Sequence, residues 1–400
     1  MFMEMSCLWN LVIRVASSVM ACMPRTRLCC QPAGLLFLCV SVGVFMVVRI
    51  WENLLPNAPA LPPTPLSASP LYPSRLPLLD LQDFTYVINN DACGRGSDVF
   101  AVVIVHTHPA NREVRDIMRA QIPQQDLQEL GVRRVFLLAR AEWHDQKLYQ
   151  QTPQSDIDRE NVQNQDIVQG NFKEHYHNLT YKHVMGLQWV THYCSQAKYI
   201  IKMDDDIVVD LYQFRHLLRS RYYERTNLIM GLLQVEARPV RNKESKWYVS
   251  EAEFADDFYA PFMSGWAYAM TLDAARRIVA ESSTVPYFWI DDVHVTGTLA
   301  ERTGVKREGL NRFYTLHVDH LYCCIELPES AEYLCDFLAG PSEGDTTVMT
   351  KVLGHARFCY VNTCYRRPLD HSVAKMCVRT KVPPLAPLGK GRGEIVRLSR

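Results

Sequence analysis

The distribution of apolar positions separates a short N-terminal region from a longer patterned one. Residues 28–48 form an uncharged run of 21 residues, which at about 1.5 Å per residue is long enough to cross the hydrocarbon core of a bilayer. Eight prolines follow between residues 54 and 78, and prolines at this density prevent helix continuation and sheet pairing. The pattern predicts an N-terminal tail at 1–27, a transmembrane signal anchor at 28–50 and an extended stem at 51–95.

Beyond the stem, patterns of buried strands alternate with helical patterns. Apolar runs at 99–106, 132–139 and 199–203 are typical of buried parallel strands. Helical spacing predicts one helix starting at 112–120 and another within 172–193. This βαβ alternation predicts an α/β fold with a mostly parallel sheet covered on both faces. The predicted domain extends over 96–380, and a loose tail follows at 381–400.

Charges beside the apolar run predict how the chain lies in a membrane. Arg14, Arg25 and Arg27 precede the run and Arg49 follows it, so the positive-inside rule places the N-terminus in the cytosol. The remaining chain would then face the lumen of the secretory pathway. A cleaved signal peptide is the alternative, although no small-x-small cleavage site follows the apolar run. Translation from Met23 instead of Met1 is a further hypothesis.

Composition narrows the class of protein. The 43 basic and 43 acidic residues cancel, and 48% of the residues are hydrophobic, which excludes wholesale disorder and a nucleic-acid protein that depends on global positive charge. Eight of the 13 cysteines follow the predicted span. In an oxidising lumen these eight permit up to four disulfides, whose connectivity the sequence does not reveal.

Two acidic motifs are the strongest candidates for chemistry. Asp204, Asp205 and Asp206 directly follow a predicted strand, and ligands of parallel sheets bind at the carboxyl ends of strands. Alternate carboxylates, at 204 and 206, suit Mg²⁺ or Mn²⁺ bridging a diphosphate, whereas a solvated acidic turn is the alternative. Asp291 and Asp292 follow aromatic and apolar residues, where burial raises the pKa of a carboxyl group and makes it a better base.

Several short patterns carry a resemblance to a known family. They lie at 115–119, 135–138, 166–172, 176–197, 202–206, 246–268 and 290–297. In this order they resemble the β1,3-glycosyltransferases that include the β1,3-galactosyltransferases (glycosyltransferase family 31), over about residues 98–325. Ile122 replaces a tryptophan of that pattern, and Thr298 replaces a cysteine that takes part in one family disulfide.

The resemblance implies a GT-A fold and a Golgi type II membrane enzyme. It implies inverting transfer of a hexose, most simply galactose, from a UDP-sugar to the 3-hydroxyl of an acceptor sugar on a glycoprotein or glycolipid. The implied roles are as follows: Asp292 as catalytic base, Asp291 as a neighbour that helps orient substrate or base, Asp204 and Asp206 as ligands of Mn²⁺ or Mg²⁺, Asp205 as a structural or ribose-binding residue, Arg115 or Arg119 at the donor phosphates, and Trp266 and Tyr268 stacking on a sugar.

Alternatives remain open at several of these points. Arg115 and Arg119 are equally compatible with a helix surface, and Trp266 and Tyr268 with the core. A further metal ligand is expected among His317, His320 and His355. The transferred sugar is alternatively N-acetylglucosamine or N-acetylgalactosamine, and a non-catalytic chaperone-like relative or a lectin-like module are further alternatives. Homo-oligomerisation also stays open. Asn178 lies in an Asn-Leu-Thr sequon, although the surrounding pattern favours helix.

Overall fold

The computed structural model describes residues 77–94, 98–141, 152–327 and 330–378. The described residues all belong to one unit of the chain, 73–400. The predicted tail, membrane anchor and most of the stem therefore lie outside the described residues, as does the predicted tail at 381–400. Within the described ranges, no helix is long and apolar enough to cross a membrane.

A mixed eight-stranded sheet forms the centre of the domain, in the order β1-β4-β3-β2-β5-β8-β7-β9. Strands β4, β3, β2 and β5 pair in parallel, as the apolar runs predict. The strands are β1 Tyr86–Ile88, β2 Ala101–His106, β3 Val132–Arg140, β4 Ile167–Lys173, β5 Tyr199–Asp204, β6 Ile207–Val209, β7 Leu228–Gln234, β8 Phe262–Thr271, β9 Lys306–Gly309 and β10 Ala339–Pro341.

Helices cover both faces of this sheet, so the α/β prediction is confirmed. On one face α1, α5 and α9 enclose a core that includes Met118, Phe214 and Val352, and on the other α4 and α6 enclose Trp189 and Ile278. The helices are α1 Arg112–Gln121, α2 Gln124–Glu129, α3 Gln154–Asn164, α4 Leu179–Tyr193, α5 Leu211–Arg221, α6 Leu272–Glu281, α7 Ala300–Arg302, α8 Val318–Glu326, α9 Thr346–Asn362 and α10 Val373–Met376.

Strand β8 departs from the expected parallel arrangement. It pairs antiparallel with both β5 and β7, so its first residues lie beside the carboxyl end of β5. A π-helical segment at Val293–Leu299 follows Asp292 and is tied to β8, because Thr296 Oγ1 accepts a hydrogen bond from Met263 N at 2.9 Å. The reversal at β8 thereby brings the second acidic motif to the edge where the first one ends.

The C-terminal part of the predicted stem belongs to the folded domain. Leu78, Phe84 and Ile88 are buried, and β1 pairs antiparallel with β4. Cys93 forms a disulfide with Cys194 at the end of α4. The predicted stem boundary at residue 95 is therefore wrong for residues 77–94, because their apolar side chains are needed to cover the sheet.

All eight cysteines beyond the predicted membrane span form disulfides, which confirms that they pair into four bridges. Three of these bridges lie in the C-terminal region, where a short β6–β10 sheet and helix α9 extend the domain. Helix α9 contributes Val348, Val352 and Leu353 to the main core and so is an integral part of the fold. The disulfides are Cys93–Cys194, Cys323–Cys377, Cys324–Cys335 and Cys359–Cys364.

We predict that the Cys93–Cys194 disulfide contributes most to stability. It spans 101 residues, and in the chain-entropy description a cross-link over roughly 100 residues stabilises by about 4.7 kcal/mol. The Cys359–Cys364 bridge spans only 5 residues and is expected to contribute about 2 kcal/mol. Thermal unfolding of the paired Cys93→Ser/Cys194→Ser variant should therefore occur well below that of Cys359→Ser/Cys364→Ser. Equal midpoints would contradict this ranking.

Candidate active site

The acidic triplet lies at the carboxyl end of the parallel part of the sheet, as predicted. Strand β5 ends at Asp204, which pairs with His106 at the end of β2. Asp205 and Asp206 occupy the turn between β5 and β6, and the side chain of Asp206 is exposed. At Asp206 the backbone is also fixed, because Ser342 N and Oγ donate to its carbonyl oxygen at 2.8 and 2.7 Å.

Gly265 of β8 connects the two acidic motifs. Its backbone N–H donates to Asp292 Oδ2 at 3.1 Å, and its carbonyl oxygen accepts a hydrogen bond from Lys202 Nζ. Lys202 Nζ also donates to Asp204 Oδ1 at 2.6 Å. A Cβ atom on residue 265 would lie 3.3 Å from Asp292 Cβ and 3.4 Å from Lys202 Nζ. The two motifs approach this closely because residue 265 has no side chain.

The two neighbouring carboxyl groups of the second motif have opposite electrostatic environments. Burial opposes ionisation of Asp291, but Lys202 and a hydrogen bond from His183 lower the pKa of Asp291 to about 2. Burial and the charge of Asp291 raise the pKa of Asp292 to about 7. Asp291 is therefore ionised near neutral pH, while Asp292 exchanges a proton in that range, which is the property of a general base.

In the first motif, Asp204 and Asp206 both have raised pKa values. Burial raises the pKa of Asp204 to about 7, although Lys202 opposes this shift. Desolvation of Asp206 and the charge of Asp205 also raise the pKa of Asp206. A divalent ion would reverse both shifts by favouring the ionised carboxylates. The oxygen donors of Asp204 and Asp206 therefore fit Mg²⁺ or Mn²⁺ chemically.

Asp205 points away from this role and into the protein. Its Oδ2 accepts hydrogen bonds from Thr107 Oγ1 at 2.6 Å and from Asn111 Nδ2 at 2.9 Å. These partners lie between β2 and α1, so Asp205 fixes the triplet to the neighbouring strand and helix. This geometry matches the structural alternative that the sequence left open for Asp205.

The predicted contact of Arg115 with donor phosphates is not compatible with its position. Arg115 is completely buried, and all its N–H groups are used: by Glu160, by the carbonyl oxygens of His108 and Pro109, and by Thr107. Arg119 binds Glu160 at 2.7 Å and Asp166 at 2.8 Å, and also contacts Asp116. Both arginines therefore neutralise internal carboxylates and hold α1 to α3 and β4.

The predicted sugar-stacking role of Tyr268 is also wrong. Its side chain is fully buried in the core, and its hydroxyl lies 2.5 Å from His183 Nε2. Trp266 is partly buried and packs against the main core, so its predicted contact with a sugar stays a prediction. Aromatic residues that do border the acidic pair are Tyr176, which is exposed, and Trp289, on which His177 stacks with ring centroids 4.4 Å apart.

The sequon lies where the pattern indicated, at the start of a helix. Asn178 ends a single 3₁₀ turn before α4, and its Nδ2 donates to the carbonyl oxygen of Lys173 at 3.0 Å. Thr180 is buried and its hydroxyl donates to the carbonyl oxygen of Phe288 at 2.8 Å. Because the hydroxyl is part of the interior, glycosylation of Asn178 stays a prediction that requires modification before this region folds.

The three histidines considered as further metal ligands lie in different places. His355 Nε2 contacts the carbonyl oxygen of Tyr333 at 3.0 Å, and the ring of His320 stacks on Phe337. His317 lies just before α8, and its backbone N–H donates to Thr315 Oγ1 at 3.1 Å. Across the described ranges, no group of three or more His, Cys, Asp or Glu side chains is arranged to hold a metal ion.

The structure adds three residues to which the sequence had assigned no role: Lys202, His183 and Gly265. Lys202 and His183 each interrupt an apolar pattern, the first in a buried strand and the second on the buried side of α4. A charged or polar residue at such a position needs a buried partner, and this signal was present in the sequence. The sequence contained no comparable signal that Gly265 would meet Asp292.

Comparison with known proteins agrees with the site. The galactosyltransferase family model matches residues 113–311, which include both acidic motifs and Gly265. The chain is 35% identical over 156 residues to human beta-1,3-galactosyltransferase 5, covering 39% of this chain and 50% of that protein. The chain belongs to the galactosyltransferase family. The family predicted from the sequence patterns is thus confirmed.

Among further relatives of this chain, the names of the proteins mention two different sugars. A lactosylceramide 1,3-N-acetyl-beta-D-glucosaminyltransferase of Xenopus tropicalis is 32% identical over 228 residues, covering 56% of this chain and 59% of that protein. Mouse beta-1,3-galactosyltransferase 4 is 29% identical over 309 residues, with coverages of 68% and 79%. The chain spans about half the length of the first curated relatives it matches.

Similarity to solved structures is low. A galactosyltransferase solved with donor and acceptor sugar analogs is 10% identical, with a TM-score of 0.30, covering 67% of this chain and 98% of that chain. A glycosyltransferase involved in glycosylation of a viral major capsid gives a TM-score of 0.32 at 10% identity, with coverages of 63% and 98%. Similarity at this level supports no conclusion about the site.

We predict that Gly265→Ala disrupts the site without unfolding the domain. Because the added methyl group lies 3.3 Å from Asp292 Cβ, Asp292 must shift by a few tenths of an ångström. Since a misplacement of about 1 Å costs roughly 100-fold in rate, we expect this smaller shift to slow transfer by roughly tenfold. The matched control is Gly354→Ala in α9, where the new Cβ meets only the end of the Gln121 side chain. Sugar-transfer rates and thermal midpoints should be measured for both variants. A Gly265→Ala variant with wild-type rates would contradict the close approach.

Proposed function

We propose that this chain is an inverting β1,3-glycosyltransferase that uses a UDP-sugar donor and a GT-A fold. The 3-hydroxyl oxygen of an acceptor sugar attacks the anomeric carbon of the donor, and the bond from that carbon to the UDP oxygen breaks. UDP leaves with the bonding electrons. Asp292 accepts the proton of the attacking hydroxyl.

One observation carries this proposal: a carboxyl group with the pKa of a base lies beside the acidic triplet. Gly265 links Asp292 to Lys202, and Lys202 binds Asp204. A nucleotide diphosphate at the triplet would therefore place its sugar within reach of Asp292. The family that the chain belongs to agrees with this arrangement.

Asp204 and Asp206 would hold a divalent cation, Mn²⁺ or Mg²⁺. When bound, such an ion stabilises the negative charge that develops on the leaving diphosphate. Lys202 keeps Asp204 in place at 2.6 Å and leaves its second oxygen available. Asp205 fixes the turn through Thr107 and Asn111.

The acceptor would lie on the aromatic side of the site. Tyr176 is 42% exposed, and its pKa is raised by burial and by the nearby charge of Asp291. The exposed ring of His177, which stacks on the buried Trp289, extends this surface. Aromatic faces are suited to the apolar faces of sugar rings, which favours a glycan acceptor on a glycoprotein or glycolipid.

Galactose is our first proposal for the transferred sugar, because the relatives with the highest identity are named galactosyltransferases. N-acetylglucosamine is the second candidate, because one relative transfers that sugar according to its name. N-acetylgalactosamine is a third. The four disulfides are consistent with an oxidising lumen, and we propose a Golgi membrane location anchored by the predicted span.

The experiment that tests the function uses the full chain in detergent with Mn²⁺, UDP-galactose, UDP-N-acetylglucosamine and UDP-N-acetylgalactosamine in separate assays. Acceptors with terminal β-linked sugars are supplied, and the product linkage is determined by NMR. A β1,3-linked product from one donor supports the proposal. UDP-sugar binding without any transfer would favour a non-catalytic relative, and absence of both UDP binding and transfer would favour a lectin-like module.

We predict that Asp292→Asn binds donor normally but transfers sugar about 10²- to 10⁴-fold more slowly, the range for loss of a general base. In the wild type, the base form of Asp292 is lost as the pH falls through its pKa of about 7. The transfer rate should therefore fall at lower pH, by about tenfold per pH unit well below this pKa. Near wild-type turnover of Asp292→Asn would refute the assignment.

We predict that Asp206→Ala abolishes cation-dependent transfer while the domain stays folded. The Asp206 side chain is exposed, so its removal should change the thermal midpoint little. Donor binding should weaken, and titration calorimetry with Mn²⁺ and UDP measures this directly. The matched control, Asp256→Ala, removes another exposed carboxylate. Equal Mn²⁺ affinities of the two variants would contradict the assignment.

A further inference from the structure

A buried chain of three polar side chains ends at the second acidic motif. The Tyr268 hydroxyl lies 2.5 Å from His183 Nε2, and His183 Nδ1 lies 2.8 Å from Asp291 Oδ2. His183 and Tyr268 are both 0% exposed. These residues come from α4, β8 and the segment before the π-helical turn, so three separate elements meet at the chain. Solvent cannot replace these hydrogen bonds.

The direction of the hydrogen bonds follows from the carboxylate. Asp291 is ionised and so only accepts hydrogen bonds, which places a proton on His183 Nδ1. Burial lowers the pKa of His183, so the imidazole is neutral and its Nε2 accepts. Tyr268 then donates, because burial keeps its pKa well above the usual value. The chain therefore runs from Tyr268 through His183 to Asp291.

We propose that His183 is a positioning residue, which through Asp291 holds the acidic pair so that Asp292 and not Asp291 accepts the acceptor's proton. This role rests on the proposed transferase function. His183 touches neither substrate nor reacting atoms, because it lies completely inside the protein. The imidazole of His183 is hydrogen-bonded to Asp291 Oδ2. The same oxygen lies 3.9 Å from Lys202 Nζ.

The consequence for Asp292 is both geometric and electrostatic. Asp292 Oδ1 accepts from Val293 N at 2.8 Å and Oδ2 from Gly265 N at 3.1 Å, so its orientation is fixed by the backbone alone. Asp291 also accepts a hydrogen bond from the backbone N–H of Asp292, but its Oδ2 is held by the imidazole of His183 at 2.8 Å. Without His183, Oδ2 loses this donor, and we expect the carboxylate to turn toward the substrate and compete for the proton.

Three substitutions separate this role from simple packing. His183→Leu fills much of the volume but has no donor. His183→Asn retains an amide N–H in the covalent position of Nδ1. Tyr268→Phe removes only the distant hydroxyl. We expect kcat to fall about 100-fold for His183→Leu, as for lost supporting groups elsewhere, with KM for the donor within about threefold of wild type.

The kcat of His183→Asn should be at least tenfold higher than that of His183→Leu. Tyr268→Phe should lower kcat by less than tenfold relative to wild type. Thermal unfolding of each variant reports on the fold. If His183→Leu does not fold, the kcat of His183→Asn still decides, because the proposal requires this kcat to stay within about tenfold of wild type. A His183→Asn variant about 100-fold slower than wild type, or a parallel rise of KM and fall of kcat, would overturn the proposal.

A double-mutant cycle tests whether His183 acts through Asp291. If it does, His183→Leu in an Asp291→Asn background should lower kcat by less than threefold, because the carboxylate that it positions is already gone. A full 100-fold additional loss would show that His183 acts by another route and would overturn the proposal.

Proton NMR supplies a readout that does not depend on transfer. Wild type should show a slowly exchanging imidazole N–H signal that disappears in His183→Leu and changes in Asp291→Asn. A protein with this signal that transfers no sugar would contradict the proposed function. A protein that transfers sugar but lacks the signal would contradict the role of His183.

Discussion

The close approach of β8 to the end of β5 at Gly265 is the constraint on which the candidate site depends. One backbone unit satisfies two charged groups, because the Gly265 N–H binds Asp292 and its carbonyl oxygen binds Lys202. Any side chain there would meet both partners. The antiparallel pairing of β8 with β5 places this glycine where the triplet begins. Two acidic motifs distant in the sequence thus share one small volume.

Buried charged side chains lie around this volume, in ion pairs with side chains of opposite charge. Lys202 binds Asp204, Lys182 binds Glu174 at 2.6 Å, and Arg115 binds Glu160 at 2.6 Å. Such pairs contribute little net stability, but removal of one partner leaves a costly buried charge. They therefore fix the strand ends in one arrangement. Arg115 and Arg119, for which the family resemblance implied a contact with the donor phosphates, belong to this internal framework.

Asp291 and Asp292 show how environment differentiates identical side chains. Asp291 has a buried cation and an imidazole as neighbours, so its charged form is favoured. Asp292 has backbone N–H groups and a carboxylate beside it, so burial dominates. Pairs of titratable groups with diverging pKa values are typical of acid–base sites. The pKa values of these two aspartates diverge because their neighbours differ in charge, although the residue type is the same.

The sequence by itself determined strands β2, β3 and β5 and the position of the acidic triplet, because an apolar run and the charges that end it are local features. It also determined the family, through short ordered motifs. Only the tertiary structure decided that Arg115 is internal, that Tyr268 is core, that residues 77–94 belong to the domain, and which cysteines pair. Each of these depends on which distant segment a residue meets. A periodic pattern states that a side chain is buried, but the partner is chosen by the packing of the whole chain.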